Sequence, residues 1–159
     1  MNIKIVCVGK LKEAYFEAAC AEFQKRLARF CTLSVIEVPD EKAPETLHPS
    51  EETQVRDREG KRILKAIGEK DVVVALAIDG RMPTSEGFAA YLRGKEDGGV
   101  RTLTFVIGGS LGLSEEVYAR ADDRISFSKL TFPHRIARLL LLEQLFRAYK
   151  INAHEAYHK

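Results

Sequence analysis

The last eight residues of this chain, Asn152-Ala153-His154-Glu155-Ala156-Tyr157-His158-Lys159, hold two imidazoles, a phenol, a carboxylate and an ammonium. These are side chains that move protons or hold anions, and histidine titrates nearest to neutral pH. Chain ends commonly fray, so on composition alone the segment also reads as a solvated tail. Just upstream, Arg135, Arg138, Arg147 and Lys150 gather positive charge that the rest of the chain balances out. Such a cluster suits contact with phosphate.

Two further segments have the composition of ligand-holding loops. Gly108-Gly109-Ser110-Leu111-Gly112 follows an apolar run directly. It resembles half of a dinucleotide fingerprint, yet no acid stands about 20 residues on to hold a ribose, and no G-K-[ST] follows to make a P-loop. The same glycines would also serve a plain strand-to-helix turn. In Ile125–His134, Phe127, Leu130 and Phe132 supply apolar surface while Ser128 and Thr131 supply small polar groups. Pro133 keeps Thr131-Phe132 extended and suits the first turn of a helix. A loop of this kind can wrap an adenine, or it can be a packed crossover.

The elements that must position these groups follow from periodicity. Strands are expected at Ile3–Val8, Thr32–Val38, Asp71–Ile78, Leu103–Ile107 and Arg124–Phe127. Helices are expected from Leu11 to about Phe30, from Ser50 to about Ile67, and from Thr84 or Ser85 to about Arg93. A fourth follows Ser114-Glu115-Glu116, which offers an N-cap and two acids, and a fifth spans His134–Ile151. Pro39–Ser50, with three prolines, and Lys95–Gly99 read as loops, and Asp79-Gly80 as a turn. Strict alternation predicts a single α/β domain over residues 1–159 with a largely parallel sheet. In such sheets ligands bind outside the carboxyl ends of the strands. The turns after Leu76, Ile107 and Phe127 stand at such ends.

Composition narrows the function classes. With 159 residues, 45% apolar and 30% charged, the chain has the balance of a globular domain. Its longest apolar runs fall well short of the about 18 residues needed to cross a bilayer, so no membrane partner is expected. The opening residues read straight into a strand, without a signal peptide's regions, which gives a cytoplasmic expectation. Cys7, Cys20 and Cys31 are odd in number and widely spaced, so they read as reduced, mostly buried thiols, with no metal expected. A net charge of +2 neither announces nor excludes a nucleic-acid binder. The final helix is apolar all round, from Ile136 through Ile151, which suggests burial on two sides and hence a homodimer.

Several motifs in order carry a resemblance. They are I-x-x-V-G-K at the start, E-V-P-D-E-K-A-P at Glu37–Pro44, and E-G-x-R-I-L at Glu59–Leu64. L-x-I-x-G-R at Leu76–Arg81, F-V-I-G-G-S-x-G at Phe105–Gly112 and S-F-S-K-L-T-F-P-H at Ser126–His134 follow. E-Q-x-x-R-A-x-K-I at Glu143–Ile151 and E-A-Y-H-K at Glu155–Lys159 close the series. Over its whole length the chain resembles the RlmH family, the 23S rRNA pseudouridine-N3-methyltransferases of the SPOUT class.

The resemblance implies an α/β sheet whose C-terminal part forms a trefoil knot, and a homodimer. It implies S-adenosylmethionine as methyl donor, held by Leu76, Gly108 and the loop Phe127, Ser128, Lys129, Leu130, Thr131 and Phe132. It implies a pseudouridine of 23S rRNA, presented by the assembled 70S ribosome, as acceptor. Because the neutral imide nitrogen has no free lone pair, one proton must be managed. His154, Tyr157 and His158 are then the candidates to take or relay it. Arg135, Arg138 and Lys159 would hold phosphate or steady the developing charge. The tail of one subunit is expected to complete the pocket of the other.

Overall fold

The computed structural model describes residues 1–42 and 45–159; Ala43 and Pro44, part of the proline-bearing loop and of the E-V-P-D-E-K-A-P motif, lie outside the described residues. In chain order the elements are β1 (Asn2–Val8), α1 (Ala14–Leu27), β2 (Thr32–Val38), α2 (Pro49–Ala66) and β3 (Val72–Arg81). They continue with α3 (Ser85–Asp97), β4 (Thr102–Ile107), α4 (Glu115–Arg120), β5 (Asp123–Ile125) and α5 (His134–Asn152). The five strands form one sheet in the order β2-β1-β4-β3-β5, and every pairing in it is parallel.

Alternation along the strands decides which helices cover which face. Ile3, Ile5 and Cys7 of β1 join Leu103 and Phe105 of β4 beneath α1, α3 and α5. Val6 and Val8 join Val73, Ala75 and Val106 on the opposite face, where Ile63 of α2 and Val117 of α4 close the layer. This is the period of two that sends successive side chains to opposite faces. Both faces are apolar, as a sheet covered on two sides requires. Cys7 and Cys20 are buried, Cys31 is half-buried, and all three are free thiols. Burial pushes Cys7 and Cys31 up to about 11, so both stay protonated.

Several boundaries differ from the sequence expectation. Asp79-Gly80 does not turn the chain; β3 continues to Arg81 after a register break and pairs again with Ile125. A Cβ on Gly80 would lie 2.7 Å from the Ile125 backbone, so this close strand approach requires glycine. α3 runs on to Asp97, through most of the expected loop, because Gly98 and Gly99 stop it, the latter at φ +78°. α1 is shorter than expected at both ends, and Phe127 lies beyond the end of β5. The two anticipated caps are present. Thr84 Oγ1 accepts from the Gly87 N–H and Ser114 Oγ from the Val117 N–H.

α5 buries Leu141, Leu142, Leu145, Ala148 and Tyr149 within its own chain, packed between α1 and α3. Ile136, Leu139 and Leu140 stay partly exposed. Much of the apolar circumference that suggested a partner is therefore covered by the chain itself. No described helix is long and apolar enough to cross a membrane.

Candidate active site

β4, β3 and β5 are neighbours in the sheet, so their carboxyl ends lie side by side. Ala75 stands opposite Val106, and Leu76 opposite Ile125. The segments that follow Arg81, Ile107 and Ile125 thus leave the sheet at one edge, with Leu76 inside β3 rather than at its end, as loops meet helix N-termini in open parallel sheets.

Next to β5 this edge holds a cavity of about 310 Å³. Phe127 and Phe132, from the two ends of one loop, face Phe88 of α3 and Leu140 of α5 there. Thr84, Ser85, Ser126 and Gln144 add polar groups. An apolar wall with a few placed polar groups is the usual make-up of a small-molecule site. Around Phe127 the loop folds on its own hydroxyls. Ser126 Oγ donates to Ser128 O, and Ser128 Oγ accepts from the Leu130 N–H at 3.0 Å. Lys129, Leu130 and Thr131 are left exposed. Leu76 and Gly108 border the same edge without lining this cavity. A larger open groove of about 710 Å³ lies between α1 and the edge strand β2, away from the three turns.

The glycine turn closes on itself. Gly112, at φ +84°, donates its N–H to Gly109 O. A Cβ on Gly108 would sit 2.7 Å from the Gly112 carbonyl carbon, so glycine at 108 is demanded by the turn's own closure. That demand is independent of any ligand.

The tail is ordered. After α5, the Glu155 N–H bonds to Lys150 O and the His154 N–H to Ile151 O, and His154 takes φ +55°. This is a Schellman motif with histidine in the left-handed position. It turns the chain back onto α5. His154 is exposed on the bend. Tyr157 packs edge-on against Phe146 and donates to Glu143 Oε1 at 3.1 Å. Burial first, then that bond, pushes the phenol above its ordinary value, so it stays protonated at neutral pH. His158 is set between Arg147, 3.2 Å from Nδ1, and Glu86, 2.8 Å from Nε2. Glu86 adjoins Ser85, and Glu143 adjoins Gln144, both of which line the cavity. Tyr157 and His158 thus bond to residues that are next in sequence to two lining residues, without lining the cavity themselves.

The family model described as Predicted SPOUT methyltransferase matches residues 1–158. The chain belongs to the SPOUT methyltransferase family. It is 54% identical to a Lactobacillus delbrueckii subsp. bulgaricus protein named ribosomal RNA large subunit methyltransferase H, over all of both chains. Proteins of the same name from Lactobacillus johnsonii and Clostridioides difficile are 55% and 53% identical, again over the full length of each. A solved structure of a probable methylase family protein from Haemophilus influenzae shares the fold. Its TM-score is 0.55 at 12% identity, covering 99% of this chain and 70% of that one.

In this SPOUT chain the basic residues singled out by sequence divide by burial. Lys159 is exposed at the end of the tail. Arg135 is half-buried and donates to Glu13 Oε1 at 3.1 Å. Arg138 is only 3% exposed. It donates from Nη1 to Glu37 Oε2 at 2.9 Å and from Nη2 to Gly9 O at 3.1 Å. Its expected phosphate contact is therefore replaced by an internal role, pinning α5 to β2 and the turn after β1. No sequence signal pairs Arg138 with a carboxylate 101 residues away. Thr84, Ser85, Phe88, Leu140 and Gln144 were also missed as lining residues. The Pro83-Thr84-Ser85 cap at a strand end was the one local hint.

His134 opens α5 with its ring against Gly9, and its buried Nδ1 has no partner among the described residues. Burial first, then Arg135 and Arg138, hold the imidazole below the ordinary histidine value, against the opposing pull of Asp40 and Glu13. A depressed pKa means the unfolded chain takes the proton first as pH falls. The stability tied to neutral His134 is thus present above about pH 6.5 and lost as pH drops through the folded pKa. Urea unfolding at pH 7.5 and 5.5 checks this: the midpoint should fall on acidification, and His134→Gln should flatten that fall.

Proposed function

We propose that this chain transfers a methyl group from S-adenosylmethionine to N3 of a pseudouridine in 23S ribosomal RNA, acting on the assembled ribosome. The observation that carries the reading is full-length identity above one half to proteins named ribosomal RNA large subunit methyltransferase H. The geometry supports it. Three strand ends share one sheet edge, an apolar cavity lies beside them, and the tail's Tyr157 and His158 bond to residues next in sequence to its lining.

The site fits the donor chemically. Phe127 and Phe132 offer faces for a purine, and the Gly108 turn offers backbone polar groups at the same edge. The sulfonium methyl is electrophilic in itself. The work left to the residues is alignment, which can supply a large share of the acceleration, and removal of one proton. Of the three tail groups, His158 is the one whose imidazole already lies against a carboxylate, Glu86, at 2.8 Å, which fixes the orientation of the ring. Tyr157, held protonated, suits donation or relay. His154 shapes the bend that carries both.

Ile78, within β3, and Met82 and Leu130, in the loops after β3 and β5, are exposed at this edge. A homodimer joined near this edge, together with the knotted path of the C-terminal segment and a cytoplasmic location, completes the proposal. Lys159 and Arg135 are its RNA-facing charges.

The test is transfer of labelled methyl from S-adenosylmethionine to ribosomes that lack the modification, followed by nucleoside mass spectrometry. N3-methylated pseudouridine from large-subunit RNA is the expected product, formed by a sedimenting dimer. Absence of donor binding by calorimetry, or a methyl group on any other nucleoside, overturns the proposal.

A further inference from the structure

Glu59 lies mid-way along α2 and is 4% exposed, a position where a charged side chain is rarely found without partners. Its Oε2 accepts the Glu41 N–H at 3.0 Å, while its buried Oε1 has no partner among the described residues. Gly109, in the turn after β4, faces this carboxyl. A Cβ built on Gly109 would come 3.1 Å from Oε1, 3.3 Å from Oε2 and 3.2 Å from Val8 Cγ1. The next residue, Gly60, packs so closely on Ser114, the cap of α4, that no methyl group fits between them. One turn further on, Arg62 donates to Pro39 O at 2.9 Å and to Glu41 Oε1 at 2.6 Å. α2 therefore grips the segment after β2 on one side and the glycine turn on the other, with Glu59 at the junction.

Stability does not account for an acid at this point. A buried oxygen without a partner costs free energy that an apolar side chain of similar volume would not. We propose that Glu59 is a positioning residue for the methyl-donor site, fixing the Gly108–Gly112 turn against Asp40-Glu41 so that the turn meets the donor at a set height. The assignment rests on the donor reading above. Burial raises the Glu59 pKa, with Asp40 and Glu41 adding to the rise and the Glu41 N–H and Arg62 opposing it. The neutral acid is closely matched in shape by glutamine.

The experiment compares Glu59→Gln with Glu59→Met, and both with Gly109→Ala, each checked for folding by circular dichroism. In steady-state methylation, Glu59→Met should raise KM for S-adenosylmethionine by about tenfold while kcat at saturating donor changes little, the pattern of lost binding rather than lost chemistry. Glu59→Gln should stay within about threefold of the parent in KM. Gly109→Ala should raise KM in the parent and much less in the Glu59→Met background. Without any ligand, amide exchange at Gly109–Gly112 should quicken by about tenfold in Glu59→Met and not in Glu59→Gln. Unchanged KM and unchanged exchange in Glu59→Met, or equal damage in both Glu59 variants, overturns the assignment. A parent protein with no affinity for S-adenosylmethionine overturns the donor reading alone, and the exchange measurement then decides Glu59 by itself.

Discussion

Deleting Tyr157–Lys159 is expected to lower the rate of methyl transfer to ribosomes by about 10²–10⁴-fold, the range that positioned acid–base groups contribute. Donor affinity should stay within a few-fold of the parent, because Phe127, Phe132 and the Gly108 turn lie outside the deleted segment. The deletion removes the Tyr157 ring from Phe146 and the His158 bridge between Arg147 and Glu86. Some stability is lost with those contacts. A second variant, His158→Gln, keeps the tail's packing and isolates the proton-carrying group. Single-turnover assays with saturating S-adenosylmethionine read the chemical step, and calorimetry reads the donor. Full activity in the truncated protein would remove the tail from the mechanism.

Arg138→Met is expected to destabilise the fold by about 1–2 kcal/mol, chiefly because Gly9 O loses a buried donor, while the exposed Glu37 carboxylate can turn to water. In a domain of this size that lowers Tm by about 2–8 °C. The physical cause is specific. Methionine fills most of the arginine's volume but leaves the Glu37 carboxylate and Gly9 O without their donors. The Gly9 turn, at φ +88° and packed on His134, then loses its anchor to α5. Differential scanning calorimetry checks the shift. An unchanged Tm, with RNA affinity reduced instead, would return Arg138 to the phosphate-contacting role that its sequence neighbourhood suggested. Arg135→Ala gives the contrast, since a half-buried pair such as Arg135–Glu13 contributes far less to stability.

The order of strands and helices was legible because each of the first four strands is a short β-branched or apolar run closed by glycine, proline or aspartate. Each helix shows a stripe or a cap. The edge at which ligands should collect was legible too, since parallel alternation places the turns after β3, β4 and β5 at strand carboxyl ends. What local pattern could not convey lies in long-range pairing. The sheet order places β4 between β1 and β3, so the neighbours of a strand are not its neighbours in sequence. Arg138 looked like one more member of a basic helix face because its partner is on β2. Glu59 looked like an ordinary helix-surface acid because the glycine turn that covers it comes some fifty residues later. The tail looked free because its fold-back depends on one histidine in a left-handed conformation, which histidine adopts more readily than most side chains but does not signal by spacing.

The placing of β4 has a consequence for how the chain is made. β1 pairs with β2 as soon as both exist, but its other edge meets β4 in a register that sets Asn2 opposite Thr102. During translation the nascent N-terminal half therefore carries an open seam until Ile107 has emerged, and it cannot mature as an independent folding unit. A fragment ending before Thr102 should be a substrate for chaperones and proteases rather than a smaller working domain.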